Sequence, residues 1–280
     1  MSKKNELNLA VLIDADNISH TKIESILNEI KIYGIPSIKR IYGDWTSSYV
    51  SGWKEHLLKH AITPIQQYSY TTGKNSTDSA LIIDAMDILH GHKVDGFCIV
   101  SSDSDFTRLA IRLREAGKLV IGVGEQKTPK PFIASCDKFV YVEIFEKPIN
   151  TSVEAKIPPN LGEGQKVSKT ISTKSKKNTS VDVETIHMLK DAVDALADDS
   201  GWAYLADLGS LLIKRKPDFD SRNYGFLKLS PLFKSLDENF EVDERSLENS
   251  NMKLFYIKNR APKSEVASVN EHVGTKEKVK

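Results

Sequence analysis

The sequence predicts an α/β fold, a mostly parallel sheet flanked by helices, followed by a second, smaller domain of helices and a short hairpin. Two observations carry this expectation. From Leu9 to about residue 145, short apolar runs alternate with stretches of helical period, the pattern of repeated β-α units whose strands are buried on both faces. Beyond residue 180 the pattern changes to three helical segments and then two alternating runs separated by a polar turn.

Each element has its own signal. LAVLI is the first strand, and KIESILNEIKIYG the first helix, stopped at Gly34. SIKRIYG gives a second strand, YVSGWKEHLLKHA a helix, and ITPIQQY a short strand or loop. TDSALIIDAMDILHG reads as a helix bounded by Gly91 and VDGFCIV as the next strand. DFTRLAIRLREAG is helical, KLVIGVG a strand, and KFVYVEIF the last strand of this region. Crossovers between parallel strands are expected to be right-handed.

Composition narrows the function classes. The chain has 280 residues, 40% of them hydrophobic, and no apolar run long enough to span a membrane, so a soluble protein is expected. The start, MSKKNELNLAVLI, lacks the apolar core of an export signal, and Cys98 and Cys136 form no disulfide framework or metal knuckle, so a cytoplasmic location is expected. Net charge is only +1, but its distribution is uneven. Residues 1–150 carry 18 basic and 18 acidic side chains, residues 151–180 carry 6 and 2, and residues 181–260 carry 11 and 15. The middle stretch, without aromatics or periodicity, is expected to be a flexible basic linker, and residues 261–280 a disordered tail.

The acidic residues fall at one end of the expected sheet, where ligands of open α/β sheets gather. Asp14 ends the first strand, with Asp16 and Asn17 in the following loop; Asp78 opens a helix; Asp103 and Asp105 follow VSS at the tip of a later strand. Carboxylates brought together raise one another's pKa unless a cation offsets them. Oxygen-only donors suit one or two Mg²⁺ or Mn²⁺ ions rather than zinc. An ion so held activates water at a phosphodiester. Asp14, Asp78, Asp103 and Asp105 are therefore the expected metal ligands, and these four with Asn17 the catalytic set. Asp16, Thr77, Asp84, Ser102 and Ser104 are candidates to support them.

Asp84, six residues after Asp78, projects about 120 degrees round the helix from it; Asp87 is expected to face solvent and Asp44 to line the channel or end a strand. His20, His56, His60, His90 and His92 look scattered, with surface or packing roles. Arg108, Arg112, Lys127 and Lys130 are candidate phosphate contacts, with Arg114 facing elsewhere on its helix. VIGVGEQ lacks the glycine pattern of a phosphate cradle. The D-x-D of LIDADN also fits a haloacid-dehalogenase-like phosphatase, though no convincing lysine signature follows it.

Together, VLIDADN, STDSALIIDAMD and VSSDSDFTRLAIRLREAG resemble the NYN family of PIN-like ribonuclease domains over about residues 7–145. The resemblance implies a PIN-like sheet with flanking helices, divalent ions and RNA as substrate. It implies metal-ligand roles for Asp14, Asp78, Asp103 and Asp105, and a polar loop role for Asn17. Asp84 matches an acidic position often retained in that family. Ser102 stands where some relatives carry glycine.

In the second domain, VDVETIHMLKDAVDALA is expected to be a helix with Ile186, Leu189, Val193 and Leu196 on its core stripe. GWAYLADLGSLLIKRKP and LSPLFKSLDEN supply two more, and FEVDE with MKLFYIKN a two-stranded wing, giving a winged helix over 181–260. Trp202, Leu205, Leu208, Leu211, Leu212 and Phe226 are expected in its core. The segment GWAYLADLGSLLIKRKPDFDSRNYGFLKLSPLFKSLDENFEVDE resembles an OST-HTH, or LOTUS, domain. The resemblance implies RNA contact, with Lys214, Arg215, Lys216, Arg222, Asn223, Tyr224 and Lys228 as candidates. The expected protein is thus a metal-dependent ribonuclease, endonucleolytic, with an RNA-recruiting C-terminal domain acting on single-stranded or structured RNA. A non-catalytic RNA-binding regulator, a DNA nuclease, a homodimer and a protein partner for the C-terminal domain stand as alternatives.

Overall fold

The structure, a computed structural model, describes residues 6–68, 76–91, 93–145, 181–246 and 253–261. The expected linker over 151–180 and, apart from residue 261, the expected tail lie outside them. The first region contains β1 (Asn8–Asp14), α1 (Ile23–Ile30), β2 (Ile35–Gly43), α2 (Lys54–His60), β3 (Thr63–Gln66) and α3 (Ser76–Gly91). It continues with β4 (Gly96–Val100), α4 (Thr107–Glu115), β5 (Leu119–Gly124), α5 (Lys130–Ser135) and β6 (Lys138–Tyr141). All six strands pair in parallel, in the order β3-β2-β1-β4-β5-β6.

β1 is central, so both its faces are apolar. Leu9, Val11 and Ile13 pack with Ile23, Ile26 and Ile30 of α1 on one side of the sheet. Ala10 and Leu12 pack on the other with Leu81 and Ala85 of α3, Leu109 and Leu113 of α4, and Phe132 of α5. The chain leaves β1 toward one face and β4 toward the other. That divergence makes a topological switch point, and it opens a crevice beyond the carboxyl ends of these two adjacent strands.

Two details differ from the sequence expectation. KPFIAS, to which the sequence pattern assigns no element, folds as α5, with Pro131 in the first turn where its missing N–H costs nothing. KFVYVEIF is a strand only over β6; residues 142–145 turn as a 3-10 helix.

The second region has α6 (Val183–Leu196), β7 (Ala203–Tyr204), α7 (Leu205–Arg215), α8 (Leu229–Ser235), β8 (Phe240–Ser246) and β9 (Lys253–Asn259). Asp182 caps α6 by accepting the Thr185 N–H at 2.7 Å. The wing has three strands rather than two, in the order β7-β9-β8, because Ala203 and Tyr204 pair with Ile257 and Tyr256. Leu189, Val193, Leu208, Leu212, Leu232, Phe233 and Ile257 form the core. Leu196 is instead 38% exposed, and Trp202 lies outside the core, within cation-π distance of Arg245 and Lys258.

The two regions touch along β6, the sheet's edge strand. Phe139 donates its backbone N–H to the Pro217 carbonyl at 2.9 Å, which covers an edge that would otherwise be open. Lys138 Nζ donates to the Phe219 carbonyl at 2.8 Å, and Tyr141 Oη to Asp218 at 2.8 Å. Arg222 forks onto both oxygens of Glu29 of α1, at 2.8 and 2.7 Å, while also holding Asp220.

Candidate metal centre

The crevice is lined from three chain segments. Asp14 ends β1 and is 1% exposed, held from several sides. Asn17 Nδ2 donates to its Oδ2 at 2.6 Å, Ser101 Oγ donates to the same oxygen at 2.8 Å, and the Asp16 N–H reaches Oδ1 at 3.0 Å. Burial pushes the Asp14 pKa up, and the Ser101 and Asn17 bonds pull part of that back.

Asp103 is the N-cap of the 3-10 turn that leads into α4, accepting the Asp105 N–H at 2.9 Å. One carboxylate oxygen from each of Asp78, Asp103 and Asp105 lies within 4.8 Å of the other two. The Asp78 pKa is raised to about 6, by burial first and then by the charges of Asp14, Asp103, Asp105 and Asp16. The structure thus brings Asp14, Asp16, Asp78, Asp103 and Asp105 into one field. Asp16 is itself raised, chiefly by burial, while a hydrogen bond from Thr77 opposes the rise.

These residues fit a hard divalent ion. The gathered donors are all carboxylate oxygens, with neither thiolate nor imidazole among them, and their mutual repulsion is relieved by a cation.

Other sequence candidates take supporting or separate places. Ser102 Oγ accepts the Glu125 N–H at 2.9 Å and so ties the tip of β4 to the end of β5. Gly124 permits the approach, since a Cβ there would sit 2.6 Å from the Ser101 carbonyl oxygen. Ser104 gives its carbonyl to the Thr107 hydroxyl. Asp84 stands apart from the three-acid group, taken by Arg40 and the Tyr42 hydroxyl, which pins α3 to β2. Asp44 closes the turn after β2, accepting from Thr46 and Gln66. Asp87 is exposed.

Arg108, Arg112, Lys127 and Lys130 are exposed, and Lys127 pairs with Glu125 at 2.8 Å. Arg114 turns away to Asp137, at 2.9 Å. In the second domain Lys214, Arg215 and Lys228 are exposed and Lys216 is half-buried. Arg222 is engaged by Glu29, Asn223 donates to the Asp218 carbonyl, and Tyr224 Oη meets Thr185 Oγ1 at 3.1 Å, so these three serve the protein's own packing.

Ser101 was not singled out by sequence reasoning, which stopped at Ser102. The signal lay in pairing rather than in spacing: Ile13 lies opposite Val100, so the next residues, Asp14 and Ser101, face each other. Nor do all the histidines scatter. His20 Nδ1 lies 3.4 Å from His56 Nε2, and the His56 and His60 rings stack at 6.0 Å. His92 lies outside the described residues. Cys98 and Cys136 are buried free thiols.

Residues 8–143 match the NYN domain, and residues 176–252 match the OST-HTH/LOTUS domain. Two solved structures are similar to parts of the chain. One is a crystal structure of a protein of unknown function from Vibrio parahaemolyticus, 22% identical, covering 50% of this chain and 96% of its own, with a TM-score of 0.40. The other is a solution NMR structure of an uncharacterized protein from Nitrosomonas europaea, 28% identical, covering 40% of this chain and 100% of its own, with a TM-score of 0.29. No curated protein matches the chain.

Proposed function

Because the chain joins an NYN domain, of the PIN-like nuclease family, to an OST-HTH/LOTUS domain, of an RNA-binding family, we propose that it is a divalent-metal-dependent ribonuclease that cuts RNA internally. The observation that carries this reading is the meeting of Asp78, Asp103 and Asp105 within 4.8 Å at the switch point of the sheet, beside the buried Asp14. Asp14, Asp78, Asp103 and Asp105 would hold Mg²⁺ or Mn²⁺. An ion so bound supplies a water of lowered pKa and offsets charge on the phosphoryl oxygens.

The chain's own residues prepare that site. Asn17 and Ser101 fix the Asp14 carboxylate from two sides, and Ser101 also accepts the Asp103 N–H at 3.1 Å, so one hydroxyl sets two acids. Ser102 holds the β5 loop against the cleft. Arg108, Arg112, Lys127 and Lys130 offer cations to the flanking phosphates, which gives affinity without sequence choice. Lys214, Arg215 and Lys228 offer the second domain's contact with RNA. No side-chain nucleophile is required.

The test uses labelled linear and circular single-stranded RNAs with manganese, cut by wild type and by Asp103→Asn/Asp105→Asn purified identically. Opening of the circle by wild type alone supports an endonuclease at this site. Equal cutting by both proteins places the activity elsewhere. Manganese and RNA capture without any cutting makes the protein a binding regulator, and a parallel DNA substrate decides the sugar.

A further inference from the structure

Beside the acidic cleft lies a cavity of about 370 Å³ that Asp14, Asp78, Asp103 and Asp105 do not line, walled by Asp16, Asn17, His20, Tyr49 and Lys127 over the buried ring of Trp53. Two strands of evidence tie it to the cleft. Asn17 in its wall donates to Asp14, and Glu125, also in the wall, donates its N–H to Ser102. The cavity thus adjoins the acids through two of its own wall residues.

The walls are suited to a flat, polar-edged ring. Tyr49 stands 73% exposed on a 3-10 turn whose N-cap, Ser47, accepts the Tyr49 N–H at 3.2 Å, so the ring is displayed from a fixed backbone. The His20 ring lies against Gly52, where a Cβ would come 2.4 Å from Nε2; only glycine leaves that room. His56 on one side and Trp53, edge-on at 6.3 Å, hold the imidazole in place. Asp16 and Asn17 offer acceptors and a donor to a ring edge, and Lys127 supplies a cation at the rim.

We propose that this cavity seats one base of single-stranded RNA flanking the scissile phosphate, stacked on Tyr49 with His20 as the opposing wall, and with Lys127 against the adjoining phosphate. Its relation to a scissile bond rests on the nuclease reading; the seat itself needs no turnover. The base must be unstacked to enter, which selects single strands and bulges over duplex.

The probe is a single-stranded RNA tetranucleotide containing 2-aminopurine, added with manganese to the full chain carrying Asp103→Asn/Asp105→Asn so that it is not cut. Quenching of the probe is expected, together with a loss of affinity of roughly ten-fold on adding Tyr49→Ala, the size of one base–aromatic stack. Tyr49→Trp should restore both, while manganese affinity of Tyr49→Ala in the otherwise unaltered chain stays at the parent value. Identical binding and quenching with and without Tyr49→Ala overturns the seat, as does failure to bind the probe at all. Cleavage of a mixed-sequence RNA separates the two readings. Wild type that cuts, at the same bonds as Tyr49→Ala and with unchanged quenching, keeps the nuclease and loses the seat. Wild type that never cuts, yet shows quenching dependent on Tyr49, keeps the seat and loses the nuclease.

Discussion

Two groups of charge in this molecule are built on contrary rules. At the joint between domains, Glu29 and Asp220 are met by Arg222 and Lys138, and every one of these side chains is mostly buried and bonded. Burial works against ionised Asp220, but the hydrogen bonds from Arg222 and the charges of Arg222 and Lys138 outweigh it and hold its pKa below the ordinary carboxylate value. In the cleft the acids face one another, and burial first, then their charges, raise the Asp78 pKa to about 6. A matched cluster is finished by the protein itself. A cluster of one sign keeps its repulsion unless a cation is added.

The largest effect separates the two groups by function. Asp78→Ala should cut manganese-dependent RNA cleavage by more than about 100-fold, since even residues that merely orient a metal's ligands cost about 10- to 100-fold; single-turnover cleavage rates measure it. Arg222→Ala should leave the affinity of the cleft for manganese intact. It should instead destabilise the chain by about 2–3 kcal/mol, because it strands the buried Glu29 without its cation and leaves Asp220 only the more distant Lys138, as read by urea unfolding. Protease sensitivity of the joint should rise with it. Replacing Glu29 and Arg222 together by Leu and Met should recover most of that loss. If Arg222→Ala instead abolished manganese binding and left unfolding unchanged, the division between the groups would be wrong.

The sequence made the cleft far more legible than the joint. An aspartate at the end of an apolar run, and two more straddling Ser104 after another, are local patterns, and a parallel sheet forces all such tips to one side. The order of the strands was not local, and with it went Ser101, whose role exists only because β1 and β4 are neighbours in one particular register. The β7 strand was likewise invisible. Two residues, Ala203 and Tyr204, have no period of their own and pair only because β9 passes beside them. The resemblance to an OST-HTH domain implied a nucleic-acid contact for Arg222; its partner in the fold, Glu29, lies 193 residues away on the other domain, where no local pattern points to it. Trp202 was expected in the core among the domain's other apolar residues, yet it lies within cation-π distance of Arg245 and Lys258.

A smaller effect tests how the protein prepares a cluster that it does not neutralise. Ser101→Ala removes one donor from Asp14 and one acceptor from the Asp103 N–H. Asp14, already pushed up by burial, rises further. Manganese affinity should fall by roughly ten-fold, and more steeply as pH drops, because protons then compete better for Asp14; titration calorimetry at two pH values measures both.

The smallest effect is on stability, and it gives the two groups opposite signatures in pH. Asp78 binds its proton more tightly folded than unfolded, so its contribution to stability is complete below pH 3.8 and is lost as pH rises to about 6. Asp220 is the reverse: its contribution is present above pH 3.8 and is lost only as pH falls further. In metal-free protein at pH 7, Asp78→Asn should therefore stabilise the fold, by about 1 kcal/mol once solvent screening of this half-exposed carboxyl is allowed for, which is a few degrees in Tm. The gain should vanish near pH 4. His60, whose pKa is lowered mainly by burial, contributes less stability as pH falls below 6.5, but it does so equally in both proteins and cancels in their difference. Saturating manganese should invert the sign, because wild type then gains binding energy that the asparagine forgoes. An Asp78→Asn difference that stayed flat from pH 4 to 7 would mean that neither burial nor the neighbouring acids raise the Asp78 pKa, and that the cleft, like the joint, is already balanced.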